Sequence, residues 1–302
     1  MTDRPTRQFN DWRRYLIGVA YRMLGSVTEA EDVVQDAYLR WHDADHPSVT
    51  DVRAYLTTVT SRLCLDRLRA AHRQREIYVG PWLPEPLMEP LEAPVDAEVL
   101  ASDVSFALML ALERLSPLER AAFLLHDVFA LDFPQVAITL ERSEASCRQL
   151  ASRARKRVQA ERPRYPVMPG EHGRLTERFL DAARSGDVTT LKVLLSESAT
   201  LHTDGGGKRM AARRVIVGAD KISRFFAGLA RKPTSSAPRW VKPVMVNGLP
   251  GWLTIEQDGL PQVLALEVAG DRILSLYVVR NPDKLRHLVD YLPERFAETL
   301  YP

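Results

Sequence analysis

The chain has 302 residues, 45% of them hydrophobic and 26% charged, which is a globular balance over a length that exceeds one compact core, so two or three domains are expected. A formal net charge of +2 excludes a uniformly basic nucleic-acid coat. Two cysteines, Cys64 and Cys147, far apart and inside helical patterns, exclude a disulfide framework and a zinc site, so no metal is expected.

The opening stretch MTDRPTRQFNDWRR is polar, without an apolar leader, and no run approaches the roughly 18 apolar residues of a membrane span. A cytoplasmic location without membrane contact is expected. Residues 1–76 read as all-helical. The first helix covers Trp12–Leu24 and closes at Gly25. Thr28 opens the next, with Glu31 in the capping-box position. Ala30, Val33, Val34, Ala37, Tyr38 and Trp41 form one apolar stripe at helical spacing, while Glu29, Asp32 and Asp36, with Gln35 beside them, line another face. A third helix is predicted from Val52 to Arg75, with Leu56, Val59 and Leu63 buried and Arg62, Arg69 and Arg73 on a polar side.

Residues 77–102 read as a tether. Five prolines fall between positions 81 and 94, so no helix runs through it, yet Trp82 and Leu83 stand in its middle. An extended, low-entropy segment with an apolar anchor is a good peptide ligand. Helices resume near Asp96, with an amphipathic segment Asp103–Leu115. Ser116-Pro117 then marks a helix start. Asp132 opens a short helix that ends near Leu140, and Ser143 caps a longer one, SEASCRQLASRARKRV. The two make a helix-turn-helix within residues 103–165. Cys147, Leu150, Ala151, Ala154 and Val158 face inward, which makes Cys147 a small core residue. Arg148, Gln149, Ser152, Arg153, Arg155 and Lys156 face outward, suited to base edges and phosphates in a major groove.

Beyond a second proline-bearing break, residues 166–302 change texture. Helices are predicted at Glu171–Arg184, from Ser185-Gly186-Asp187 onward, and at Ala219–Ala230. Strands are predicted at Ala199–Thr203, Met210–Val217, Trp240–Val246, Gly251–Gln257, Gln262–Val268 and Arg272–Val279, an α+β domain with helices on one face of a curved sheet. The glycines of Asp204–Lys208 (DGGGK) permit positive φ and close backbone approach, for a partner backbone or an anion.

AEDVVQDAYLRW (Ala30–Trp41) and RAYLTTVTSRLCLDRLRAAHR (Arg53–Arg73) resemble region 2 of the extracytoplasmic-function (ECF) sigma factors, and residues 103–160 resemble their region 4. The resemblance implies a multidomain protein that binds core RNA polymerase and directs promoter recognition and transcription initiation. Glu31, Asp32, Gln35 and Asp36 would dock on the β′ clamp coiled-coil, and the β flap would be a second contact. Arg62, Arg69 and Arg73 would engage the −10 element, with the base pocket near Ala44–Asp51. Arg148, Gln149, Ser152, Arg153, Arg155 and Lys156 would read −35 promoter DNA. Glu141-Arg142 stands in the turn where the family commonly has glycine.

The extension resembles the SnoaL-like branch of the nuclear-transport-factor-2-like fold. A group of ECF factors carries such an extension together with WLPEP, DGGGK and NPDKL, which here are Trp82–Pro86, Asp204–Lys208 and Asn281–Leu285. Trp82, Leu83, Pro84, Glu85 and Pro86 are then expected to pack near Asp204, Gly205, Gly206, Gly207 and Lys208, with Asn281, Pro282 and Asp283 nearby. That packing would regulate the sigma regions in cis, without a separate anti-sigma factor. No cofactor and no enzyme activity are expected: His202, Asp204, Asp258 and Glu267 form no catalytic spacing motif. A small ligand in the C-terminal domain remains open, as does a stand-alone DNA-binding regulator, although that reading leaves the acidic helix unexplained.

Overall fold

The computed structural model describes residues 4–44, 46–75, 78–89, 104–161, 172–232 and 237–300. The chain forms two compact units. The first takes residues 1–77 and 94–163, and the second takes residues 78–93 and 164–302.

The first unit is helical among its described residues. It contains α1 (Arg4–Leu24), α2 (Val27–His42), a short 3-10 turn (His46–Ser48), α3 (Val52–Arg75), α4 (Phe106–Glu113) and α5 (Pro117–Phe123). A π-helical turn (Leu124–Val128), α6 (Phe133–Leu140) and α7 (Glu144–Glu161) complete it. Helix α1 begins earlier than predicted and stops at Gly25, whose positive φ suits a helix end. Thr28 does not start α2: the Ser26 hydroxyl accepts the Glu29 N–H at 3.0 Å, and Thr28 lies inside the helix. Serine competes well for that place because its short side chain reaches back to the second or third helical N–H.

The stripe of α2 is buried, Tyr38 alone being half-exposed, and Trp41 is anchored by its indole N–H to the Pro5 carbonyl at 2.8 Å. On α3 the buried line differs from the prediction. Leu56 is buried, but Val59 and Leu63 are half-exposed, and Thr57, Thr60, Ser61, Cys64, Leu65 and Leu68 take the inner positions. Small hydroxyl residues allow close helix approach, and Thr57 returns its hydroxyl to the Arg53 carbonyl at 2.7 Å. Helix α4 is less amphipathic than expected, since Phe106, Leu108, Met109, Ala111 and Leu112 are all buried. The onset near Asp96 and Asp103 lies outside the described residues.

The second unit is built on a seven-stranded sheet. Its strands are β1 (Met88–Glu89), β2 (Leu195–Asp204), β3 (Ile216–Val217), β4 (Trp240–Val246), β5 (Leu249–Ile255), β6 (Pro261–Ala269) and β7 (Arg272–Val279), in the order β1-β4-β5-β6-β7-β2-β3. Among the described strands only β2 and β7 pair in parallel. Helices α8 (His172–Ser185), α9 (Val188–Leu194) and α10 (Ala219–Ala230) cover one face. Phe179, Leu191 and Ile222 meet Leu201, Trp252, Leu264, Leu266 and Leu276 there. A 3-10 stretch (Pro282–Tyr291) and α11 (Glu294–Leu300) follow.

Two outcomes depart from the strand prediction. Of Met210–Val217 only the last two residues form a strand. Ala212 exchanges both its N–H (2.7 Å) and its C=O (3.3 Å) with the Thr203 hydroxyl, which replaces a ladder there. The proline-rich tether also contributes a strand, β1, which pairs Met88 with Val246 and Glu89 with Met245.

A buried arginine ties the first unit together. Arg120, 2% exposed, donates to the carbonyls of Leu112 (2.9 Å) and Met23 (2.7 Å) and pairs with Glu113 at 2.7 Å. Arg120→Ala strands those acceptors and the Glu113 charge in the interior, and a loss of about 3–5 kcal/mol in denaturant unfolding is expected. Arg120→Lys should recover little of it, because one ammonium cannot serve three acceptors laid out for a planar fork.

Candidate nucleic-acid interface and tether cradle

The helix-turn-helix is built by its caps. Asp132 accepts the Gln135 N–H at 2.9 Å to start α6, and Ser143 accepts the Ser146 N–H to start α7. Between them Glu141 adopts the left-handed conformation, φ 55°, that glycine commonly supplies. The turn thus keeps its geometry at the cost of a strained non-glycine residue. Cys147, Ala151, Ala154 and Val158 are buried, Leu150 is half-buried, and burial pushes the Cys147 thiol up from its ordinary pKa.

Arg148, Gln149, Arg153 and Lys156 are exposed, and Ser152 and Arg155 are half-buried. Several of these cations already hold a carboxylate. Arg148 pairs with Glu144 at 2.6 Å, and Arg155 Nε bonds Asp127. Arg157, a residue the sequence reading passed over, bonds Glu119 at 2.8 Å. Arg153 and Lys156 have no ion pair among the described residues.

The acidic face of α2 is exposed at Glu31, Asp32 and Gln35 and half-exposed at Asp36. Arg67 of α3 draws on this face, bonding Asp36 at 2.9 Å and the Glu29 carbonyl at 3.1 Å, with Asp32 at 3.8 Å. On α3, Arg69 is exposed and pairs with Asp66, whereas the Arg73 side chain lies outside what is described. Arg62 is not free. It donates to the carbonyls of Thr139 (3.2 Å) and Ile138 (2.9 Å) at the C-terminus of α6 and lies 3.2 Å from the Glu141 carboxylate. Thr58 adds a hydroxyl contact to Thr139 at 3.1 Å. One residue predicted for the −10 element is therefore engaged by the helix-turn-helix itself.

In the second unit, three sequence motifs converge on Asp204, which is fully buried at the end of β2. One carboxylate oxygen accepts the Tyr78 hydroxyl (2.6 Å) and the Gly206 N–H (3.0 Å). The other accepts the Leu83 N–H (2.8 Å) and the Lys284 ammonium (2.7 Å). Lys284 also donates to the Leu83 carbonyl, so the aspartate and the lysine hold both polar groups of one tether residue. The Lys284 ammonium lies 4.2 Å from the Trp82 ring centroid and 4.8 Å from that of Tyr78. The Leu83 side chain is fully buried, and Pro84, Glu85 and Pro86 are buried beside it. His287 bonds the Pro86 carbonyl at 2.8 Å, and Leu87 exchanges bonds with Asn247 (3.0 and 2.9 Å) before β1 begins.

The glycines of the loop are needed for space. A Cβ at Gly205 would overlap the Arg209 carbonyl, and one at Gly206 would overlap the Asn281 carboxamide. Gly206 and Gly207 also have positive φ, 60° and 71°. Asn281 accepts the Asp283 N–H at 3.1 Å, donates to the Tyr78 hydroxyl at 2.9 Å, and is followed by Pro282 at the first position of the 3-10 stretch. Lys208 pairs with Asp283 at 2.5 Å. The sequence reading missed Tyr78 and Asn247, and its site stopped at Asp283, one residue short of Lys284. Position inside NPDKL was the available signal for Lys284.

A cavity of about 310 Å³ adjoins this cradle, lined by Val79 and Gly80 of the tether and by residues 205 and 207–213. The residues weighed for catalysis have structural partners. Asp204 is described above, Asp258 pairs with Arg209 at 2.7 Å, Glu267 accepts the Tyr277 hydroxyl at 2.9 Å, and His202 stacks on Tyr277. Among the described residues no group of histidine, cysteine and carboxylate side chains has a metal-site arrangement. No described helix is long and apolar enough to cross a membrane.

Helices α1–α3 are followed in chain order by helices α4–α7 with a capped helix-turn-helix, and both helical segments match sigma-factor families. Residues 9–74 match the Sigma-70 region 2 family and residues 105–158 match Sigma-70 region 4. The chain is 42% identical over 287 residues to the ECF RNA polymerase sigma factor SigJ of Mycobacterium tuberculosis, covering 92% of each protein. It is 34% identical over 277 residues to the probable ECF RNA polymerase sigma factor SigI of the same organism, covering 90% of this chain and 92% of SigI. The crystal structure of SigJ superposes with a TM-score of 0.75 at 40% identity, over 93% of this chain and 98% of SigJ. The chain belongs to the ECF RNA polymerase sigma factors, proteins of promoter recognition and transcription initiation, and carries a C-terminal domain of mixed sheet and helices that fits the expected SnoaL-like fusion.

Burial first, and the Asp204 charge second, push the Tyr78 hydroxyl above its ordinary pKa. Burial and then Glu267 do the same to Tyr277. An unfolded tyrosine releases its proton near about pH 10, whereas these retain theirs. Above that pH the unfolded chain binds fewer protons than the folded one, so stability falls as pH rises. Denaturant unfolding of the second unit between pH 8 and 11 should show this decline, and Tyr78→Phe and Tyr277→Phe should each flatten it.

Proposed function

We propose that this sigma factor is regulated in cis by its SnoaL-like domain, which holds the tether between regions 2 and 4, with no separate anti-sigma factor required. The observation that carries this reading is the grip of Asp204 and Lys284 on the Leu83 peptide. The tether leaves region 2 near residue 77, runs through the second unit, and returns toward region 4 near residue 94. Any change in its docking alters the connection between the two DNA-binding regions.

The state of the first unit supports the same reading. By their positions the −10 and −35 elements lie about 25 base pairs apart, roughly 85 Å along B-DNA. A sigma factor whose Arg62 rests on Thr139 cannot reach both. Promoter binding therefore requires regions 2 and 4 to separate, and Arg62 to exchange the α6 carbonyls for DNA phosphate. In this reading Glu31, Asp32, Gln35 and Asp36 meet the β′ clamp, region 4 meets the β flap, Arg62, Arg69 and Arg73 engage the −10 element, and the outward face of α7 reads the −35 element. The functional divisions are residues 1–76, 77–102, 103–165 and 166–302.

The test is in vitro transcription with core RNA polymerase. It compares the full chain, a truncation near Tyr165, and full chains carrying Asp204→Asn, Lys284→Met or Trp82→Ala. The cradle variants are expected to move promoter-specific output from the full-length level toward the truncation level, on whichever side that lies. Variants that melt normally but transcribe like the unmodified full chain would remove regulation through the tether.

A further inference from the structure

The π-helical turn between α5 and α6 carries two polar residues: Asp127, which bonds Arg155 of α7, and His126, which stacks on a ring that Arg148 of α7 also approaches. The Phe129 N–H bonds the Leu124 carbonyl at 2.9 Å, one residue further back than in an α-helix. One extra residue in a turn rotates the following side chains by about 100° from their α-helical directions. His126 is brought over Phe133, the first residue of α6, with ring centroids 3.9 Å apart and planes at 28°. A bond between its Nδ1 and the Leu131 carbonyl, 2.8 Å, fixes the imidazole orientation. The Arg148 guanidinium lies 4.6 Å from the centroid of the same Phe133 ring. Because the imidazole covers one ring face at stacking distance, the guanidinium takes the other.

We propose that His126 and Phe133 are positioning residues that hold Arg148 as a pre-oriented reader of a guanine in the −35 element. Phe133 fixes the plane of the guanidinium, and Glu144 fixes its rotation through one N–H at 2.6 Å. The other donors of Arg148 have no partner among the described residues. A planar fork with a free edge matches the O6 and N7 acceptors of guanine. Ordering a long exposed side chain normally opposes binding, and here the ordering precedes contact with DNA. The neighbouring residue Asp127 acts on Arg155 differently. It holds that guanidinium through Nε and offsets its charge, so Arg155 keeps its Nη donors but attracts a phosphate less strongly. One turn thus supports one arginine for reading and offsets the charge of another.

This inference rests on the assignment of Arg148 to the −35 element. The experiment uses full-chain holoenzyme and a barcoded promoter pool randomised over that element. Arg148→Ala should flatten preference at one guanine position. Phe133→Leu should flatten the same position by about ten-fold while leaving the others unchanged, and Phe133→Tyr should retain the preference. Phe133→Leu combined with Arg148→Ala should be no worse than Arg148→Ala alone. His126→Gln, which leaves α6 intact, should weaken the same position to a smaller degree and serves if Phe133→Leu fails to fold. Asp127→Asn should strengthen binding across all sequences and steepen the salt dependence by about one unit of log–log slope. If Arg148→Ala flattens a position and neither Phe133→Leu nor His126→Gln touches it, or if they reduce all promoters alike, the positioning role is overturned. If Arg148→Ala changes no position, the assignment of Arg148 to −35 reading is what fails.

Discussion

Asp204 and Lys284 are both nearly removed from water, and neither could remain there with only the other for company. A buried ion pair is offset only when the remaining lone pairs and N–H groups are also satisfied. The Leu83 peptide supplies an N–H to the aspartate and a carbonyl to the lysine, while Tyr78 and Gly206 fill the other carboxylate oxygen. The tether therefore completes the polar interior of the second unit. Because the grip falls on a backbone amide, it fixes register without depending on the side chain. Leu83 then adds apolar burial, and Trp82 and Tyr78 add aromatic faces beside the ammonium. An aromatic side chain on a proline-rich tether has its explanation in that ammonium. The glycines follow from the same constraint, since the loop passes too close to Arg209 and Asn281 for any Cβ.

Arg62 of the first unit shows the opposite energetics. Arg62 meets two carbonyls and a carboxylate at a helix C-terminus, where the macrodipole and the unsatisfied oxygens favour a cation. To a guanidinium this resembles the oxygens of a phosphate. The site is partly open to solvent, and exposed ion pairs of this kind are worth about 1 kcal/mol or less. A contact this weak breaks readily, as the exchange for DNA in the proposed function requires, whereas a buried one such as Arg120 does not. The contrast separates an arginine held by a weak, exposed contact from one that holds the fold.

Where side-chain chemistry acts locally, the elements were legible in the sequence. Ser116 and Asp132 cap the helices they were expected to start, and Asn247-Gly248 joins β4 to β5 through two positive-φ residues. Errors arose where distant partners decide. The inner face of α3 carries Thr57, Thr60 and Ser61, so hydrophobic periodicity pointed to Val59 and Leu63 instead. The strand in the tether exists only because β4 offers an edge, and at Ala212 the Thr203 hydroxyl takes the place of a ladder. At the candidate sites, motif strings led to the tether cradle, but the pairing of Lys284 with Asp204 requires the fold, as does the occupation of Arg62. The π-helical turn leaves no mark in composition or spacing.

The charge pattern of α7 bears on how such a protein finds its target. Arg148, Arg155 and Arg157 each hold a carboxylate of the first unit, so much of the basic charge on this helix is balanced before DNA arrives. Non-specific affinity for duplex DNA comes almost entirely from unbalanced cations that displace counterions. Balanced cations lower that background. Base-edge contacts, which depend on geometry more than on net charge, lose less. In the proposed function, a free chain of net charge +2 would be poorly retained on random DNA, and selectivity would rise when a partner brings region 4 to the duplex and supplies the missing affinity. In that reading the carboxylates that shield α7 would favour reading DNA within a polymerase complex over reading it alone.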